Sequence, residues 1–217
     1  RGEAVPLLDL RSVFGQPTLK QENEAFNAML EARKQDHIHW VTELERCTMM
    51  NEPFPLATDP HQCAFGKWYD HYQSDSHTIN FHLKKIDEPH RLLHQAALDV
   101  ERCSHHCESC ERDECLKTIL ERAKASYVPT IVNLLDSAKE LFKDAYREMV
   151  LVLKDRRSVG IVVDEVLSVE DLSDLGGEGG GQNFQTGYVR AVKKSVRNKD
   201  VILELDEERL LGQLEED

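Results

Sequence analysis

Histidine stands where this chain's helical periodicity calls for hydrocarbon. Phe26, Leu30, Arg33, His37, Val41 and Leu44 recur three or four residues apart, as do Leu83, Ile86, His90, Leu93, Ala97 and Val100. Each set describes the inward stripe of an amphipathic helix. Imidazoles on such stripes restrict what the chain can fold into, because a buried polar ring needs partners for its nitrogens. His90 and His94 are four apart, so on a helix they lie one above the other and can reach a single ion. His39 is two residues beyond His37 and points to the other side, so His37 is counted in and His39 out. His61, His71, His77 and His82 have no inward placement. Cys63, opening the run Cys63-Ala64-Phe65-Gly66-Lys67-Trp68-Tyr69, completes a set of three imidazoles and one thiol. A single inward histidine is more often a hydrogen-bonded core residue than a ligand. The set as a whole also fits a tetrahedral zinc shell, and its soft sulfur disfavours magnesium and calcium. Spacing alone leaves both readings open.

The helical grammar holds from about Pro17 to Arg147. Leu116, Ile119, Ala123, Tyr127, Leu134, Ala138, Leu141 and Ala145 form a third long stripe, and Ala64 to Tyr72 a shorter fourth helix. Pro89, after Asp87 and Glu88, predicts a kink or restart just before the histidine pair, and Pro129 a kink in the last helix. The ends read as β. Ala4 to Leu10 is short and apolar, and Pro6 excludes a free central strand. Val150–Leu153 and Ser158–Val163 read as a hairpin around Lys154-Asp155-Arg156-Arg157. Tyr188–Val192 and Val201–Leu205 read as two more strands, and Glu207–Leu214 as a terminal helix. The run Gly176-Gly177-Glu178-Gly179-Gly180-Gly181 reads as a flexible loop without a phosphate-binding pattern. The fold class is therefore α+β: a four-helix bundle inserted into a β domain, entering and leaving at nearly one place.

With 217 residues, the chain can bury a core of ordinary size without metal to hold it together. A net charge of −13 argues against nucleic acid and anionic membrane as partners. No apolar run is long enough to cross a bilayer, and no signal peptide is visible. The opening on Arg1 reads as a fragment or trimmed chain. Six cysteines beside ten histidines suggest metal and a reducing cytoplasm, with a periplasmic disulfide protein as the lesser alternative.

The motif order His-x-x-Trp (His37 to Trp40), Cys-x-Phe-Gly-x-Trp (Cys63 to Trp68) and Pro-His-x-x-x-His (Pro89 to His94) resembles the chemoreceptor zinc-binding (CZB) family over about residues 23–145. The resemblance implies a four-helix bundle, usually dimeric, that holds zinc through His37, Cys63, His90 and His94. It also implies a response to zinc availability or to oxidation of the ligand cysteine, notably by hypochlorous acid, within bacterial chemoreceptors or diguanylate cyclases. The flanks carry a softer resemblance. Arg1 to Arg11 looks like the middle of a CheW-like domain, and Val159 to Val166 with Val201 to Leu211 looks like its second half. That family is a pair of small β-barrels coupling chemoreceptors to a histidine kinase. The implied layout is residues 1–16 as a first CheW-like segment with its preceding half missing, 17–146 as the inserted zinc-binding bundle, and 147–217 as the second CheW-like segment.

Cys103, Cys107, Cys110 and Cys115 crowd into what reads as a polar loop between two helices, a candidate second metal site or redox switch against the plainer reading of exposed thiols. The Cys-x3-Cys-x2-Cys spacing of the first three matches radical enzymes, but no (β/α) barrel pattern surrounds it. Cys47 reads as packing at a helix end. No nucleophile–base pair or catalytic carboxylate pair has a clear placement. The expected function is thus a cytoplasmic chemotaxis coupling protein and scaffold, not an enzyme. Chemoreceptor and histidine kinase are its implied partners, a homodimer through the bundle is open, and membrane insertion is not expected. A constitutive adaptor with structural zinc is the first alternative. A zinc hydrolase is the second, disfavoured because a catalytic zinc commonly keeps a fourth position for water.

Overall fold

A computed structural model describes residues 4–106, 109–154, 158–174, 187–198, 200–212 and 214. The chain divides into two compact units, Arg1–Thr18 with Glu148–Asp217, and Leu19–Arg147. In chain order the elements are β1 (Leu7–Asp9), α1 (Leu10–Val13), α2 (Leu19–Met50), α3 (Ala64–Tyr69), α4 (His77–Leu83), α5 (Asp87–His106), α6 (Ser109–Arg122), α7 (Val128–Ala145), β2 (Met149–Lys154), β3 (Ser158–Val163), β4 (Leu172–Asp174), β5 (Val189–Ser195), β6 (Val201–Leu205) and α8 (Glu207–Gly212).

The discontinuous unit holds two three-stranded sheets. In the first the order is β1-β3-β2, with β1 parallel and β2 antiparallel to β3. Pro6 lies just ahead of β1, which is an edge strand and so loses nothing to the missing N–H. The central strand β3 carries the burial, with Val159 and Val162 inside, whereas Met149 to Val152 of the edge strand β2 are exposed. The chain thus leaves this sheet after β1 and returns to it in β2. The second sheet, β4-β5-β6, is antiparallel throughout. Among the described residues neither sheet closes: β1 and β2 are edges of one, β4 and β6 of the other. The expected barrel is therefore not seen there. The turn 155–157 and the glycine-rich run 176–181 lie outside the described residues.

In the helical unit, α2 buries Leu19, Phe26, Leu30, His37, Trp40, Val41, Leu44 and Cys47 along one stripe, and Cys47 is packed as expected. A 3-10 turn, Lys84–Ile86, joins α4 to α5, so the helix restarts and Pro89 falls in its first turn, where its missing N–H has no intrahelical acceptor to serve. Near Pro129 the chain widens instead of simply bending. A π turn, Ala123–Tyr127, separates α6 from α7, making room for a proline ring that a regular helix would press against a carbonyl four residues back. The wider turn also moves the buried stripe. After it the core residues are Ile131, Leu135, Ala138 and Phe142, with Leu134 and Leu141 half-buried and Ala145 exposed. The uninterrupted stripe through Leu134, Leu141 and Ala145 is corrected accordingly. One aromatic cluster joins α2, α3 and α7: Phe26 stacks on Phe142 at 4.5 Å between ring centroids and also meets Trp68 and Tyr72, which pack on each other at 4.6 Å.

Candidate metal centre

Three elements deliver the four donors. His37 comes from the inner face of α2, Cys63 from the residue capping the N-terminus of α3, and His90 and His94 from successive turns of α5. Their donor atoms all lie within 4.8 Å of one another. His37, His90 and His94 are buried and Cys63 is partly so. Zinc bonds of about 2.0–2.3 Å place neighbouring tetrahedral donors about 3.3–3.8 Å apart. Cys63 Sγ and His90 Nε2 already stand 3.3 Å apart, and a small contraction brings in the others.

Hydrogen bonds on the far side of two rings fix which nitrogen faces inward. His37 Nδ1 bonds the Arg33 carbonyl at 2.6 Å, and His94 Nδ1 bonds the Ala57 carbonyl at 3.0 Å. Each bond assigns the proton to Nδ1 and leaves Nε2 as a lone-pair donor. His37 Nε2 is buried with no hydrogen-bond partner of its own. A buried nitrogen without a partner is costly unless a ligand takes it, and this orphan is the most direct sign that the residues fit a metal ion. The Ala57 carbonyl also accepts from the Trp40 indole at 2.9 Å, so Trp40 holds the loop that orients His94. Phe65 meets the rings of His37 and His90 edge-on, at 5.5 and 5.0 Å, and walls the site with hydrocarbon.

The electrostatics suit a cation bound by neutral imidazoles. Burial pushes His90 down to about 2, with repulsion from His37 and His94 adding to it. Burial takes His94 down to about 4, and His37 lies below its ordinary value for the same reason. Burial moves the Cys63 thiol the other way, up from its ordinary value, against the hydrogen bonds from the Gly66 and Phe65 amides. At neutral pH the imidazoles are therefore ready donors, while the thiol must shed a proton to ligate. Affinity accordingly rises with pH until the thiol ionises unaided. The expected slope is about tenfold in zinc affinity per pH unit between about pH 6 and 8, with about one proton released per ion. Calorimetric titration in buffers of different ionisation heat measures that proton count. A count near zero would mean a preformed thiolate, and a count of two or more would mean charged imidazoles.

His39 is exposed on α2, opposite the site. His61 pairs with Asp70 at 3.0 Å on the surface. His82 differs from expectation: it is buried, with Nε2 against the Leu134 carbonyl at 2.8 Å, a core histidine satisfied by backbone. The cysteine-rich stretch is also corrected, since it is mostly helix. Cys103 lies buried on α5 and Cys115 half-buried on α6, and a disulfide joins them with Cα atoms 6.6 Å apart. Cys107 lies outside the described residues, as does the Cys110 side chain. Among the described residues, the cluster able to hold a metal is His37, Cys63, His90 and His94. Sequence reasoning did not find the carbonyls of Arg33 and Ala57, because backbone acceptors leave no residue-type signal.

No helix among the described residues is long and apolar enough to cross a membrane. No curated protein and no solved structure gives a match to the chain. Residues 37–100, which contain all four donors, match the chemoreceptor zinc-binding domain family, and the match together with the three-histidine, one-cysteine geometry supports zinc as the ion and chemotaxis-related signalling as its setting.

Proposed function

We propose that this chain is a bacterial signalling adaptor in which the zinc-binding bundle senses zinc or oxidants through Cys63, and the discontinuous unit, a CheW-like domain, passes the change to a chemoreceptor and its histidine kinase. It works as a sensor and scaffold in the cytoplasm rather than as an enzyme, and the bundle offers a surface for a homodimer. Four protein donors fill a tetrahedral shell and leave no position for a substrate water, which supports the non-enzymatic reading.

One observation carries the proposal: Cys63 does two jobs at once. Its sulfur is a metal donor, and it also caps α3, accepting from the Gly66 amide at 3.2 Å. Bound zinc keeps that sulfur as the thiolate, the form that oxidants attack. Hypochlorous acid takes the thiolate to a sulfenic acid, the sulfur losing two electrons while chlorine departs as chloride. The oxidised sulfur is a poorer donor and a poorer cap, and a lost cap costs about 1 kcal/mol. Helix α3 carries Phe65, which packs on His37 and His90, so loosening the cap disturbs the wall of the site as well as its ligand.

The test replaces Cys103, Cys107, Cys110 and Cys115 with serine and leaves Cys63 in place. Hypochlorous acid is expected to release zinc from this variant to a chromogenic chelator and to change its binding to a receptor–kinase complex. Adding Cys63→Ser should slow oxidant-driven release at least about tenfold, because the thiolate is gone. If release disappears with the four other thiols, the sensing role leaves Cys63 and the zinc becomes structural.

A further inference from the structure

The cysteines that the zinc site does not use carry a second chemistry. Cys103 continues the inward stripe of α5 through Ala96 and Val100, and it is 4% exposed. Cys115 is half-buried on α6, one turn beyond Arg112, whose carbonyl lies 3.7 Å from Cys103 Sγ. The face of α6 that carries Cys115 is therefore the face that meets Cys103. The Cα separation of 6.6 Å falls within the range that a bridge spans without backbone movement. The same carbonyl gives the buried Cys103 thiol an acceptor when the bridge is open, so both redox states are accommodated.

We propose that Cys103 and Cys115 form a reversible dithiol–disulfide site, separate from the zinc centre, that fastens α5 to α6 when oxidised. The oxidant class is a small-molecule disulfide. The Cys115 thiolate, the more exposed of the two, attacks one sulfur of that disulfide, forming a mixed disulfide and expelling one small thiolate. The Cys103 thiolate then attacks the Cys115 sulfur and expels the second. Two electrons pass from the protein dithiol to the small disulfide, which leaves as two thiols, and the two protein protons go to solvent or to those thiolates. In a reducing compartment the pair rests open and closes under oxidation. Helix α5 also carries His90 and His94, but the bridge closes beyond them and takes none of the zinc donors.

The experiment uses the zinc-loaded full chain carrying Cys107→Ser and Cys110→Ser, equilibrated in mixtures of reduced and oxidised glutathione. Thiols are trapped by alkylation and peptides are weighed. The expected result is a Cys103–Cys115 linked pair in oxidising mixtures, about 2 Da lighter than the two free peptides and lost on reduction. Zinc content should be unchanged, and amide exchange in the C-terminal half of α5 should slow on closure. Cys115→Ser, or Cys115→Ala if the serine variant folds poorly, should abolish the link and the added protection. Glutathione stalled on Cys115 with no bridge, or closure without added protection, would overturn the proposal. So would a second zinc per chain that leaves with Cys115→Ser, which would make the pair part of a metal site.

Discussion

Replacing His94 with alanine is expected to lower zinc affinity by at least about a hundredfold, while His39→Ala leaves it within about threefold. The lower bound follows from the layers around the ion. Groups that only orient a ligand typically cost 10- to 100-fold when removed, so a donor must cost more. His94 is 1% exposed, and among the described residues the metal-holding cluster is His37, Cys63, His90 and His94, without a fifth donor to replace its Nε2. His90→Ala should behave similarly, since it removes the imidazole nitrogen that stands 3.3 Å from Cys63 Sγ. His39 shares α2 with His37 but is exposed on the opposite side. Competition titration against a chelator of known affinity measures these three and His37→Ala. If His39→Ala loses zinc as fully as His37→Ala, the placement of these histidines on α2 is wrong.

Much of this site was legible because helices convert spacing into direction. His90 and His94 at i and i+4, and His37 on the stripe of Leu30, Val41 and Leu44, point inward for the same reason that their hydrophobic neighbours do. The hairpin β2–β3 was legible from its β-branched runs, and so was the restart before His90, from Pro89. Local rules failed where the cause is not local. His82 shows no inward pattern, and once buried its ring is satisfied by a carbonyl of α7 far along the chain. The shifted stripe of α7 needs the π turn, whose extra width cannot be read from hydrophobic spacing that was assumed regular. Cys103 and Cys115 read as loop residues because charged and polar neighbours mask the helical period there, although both sit on helices. Closure of a barrel depends on how strand edges meet, which alternation within single strands does not specify.

Gly66→Ala is expected to destabilise the bundle by about 3 kcal/mol, lowering its melting temperature by on the order of 10 °C, and to weaken zinc at least about tenfold. Gly66 is buried in α3, and a Cβ there would overlap the Pro60 carbonyl oxygen and come 2.9 Å from His61 Cα. Both obstacles are backbone, so they cannot rotate away as a side chain would. Either α3 or the segment 60–61 must move, and Cys63 lies between them. The displacement acts on the metal centre through the Cys63 sulfur, which accepts from the Gly66 amide at 3.2 Å and, as the protonated thiol of the metal-free site, also donates to the Pro60 carbonyl at 3.2 Å. It also shifts Phe65, which is 1% exposed between His37 and His90. Gly212→Ala is the matched control: a Cβ there meets nothing within 4 Å, so melting and zinc affinity should stay unchanged. Thermal unfolding with and without zinc separates the two effects. A variant that melts lower but binds zinc with unchanged affinity would show that α3 can yield without moving Cys63, and the coupling of cap to ligand on which the sensing mechanism rests would fail.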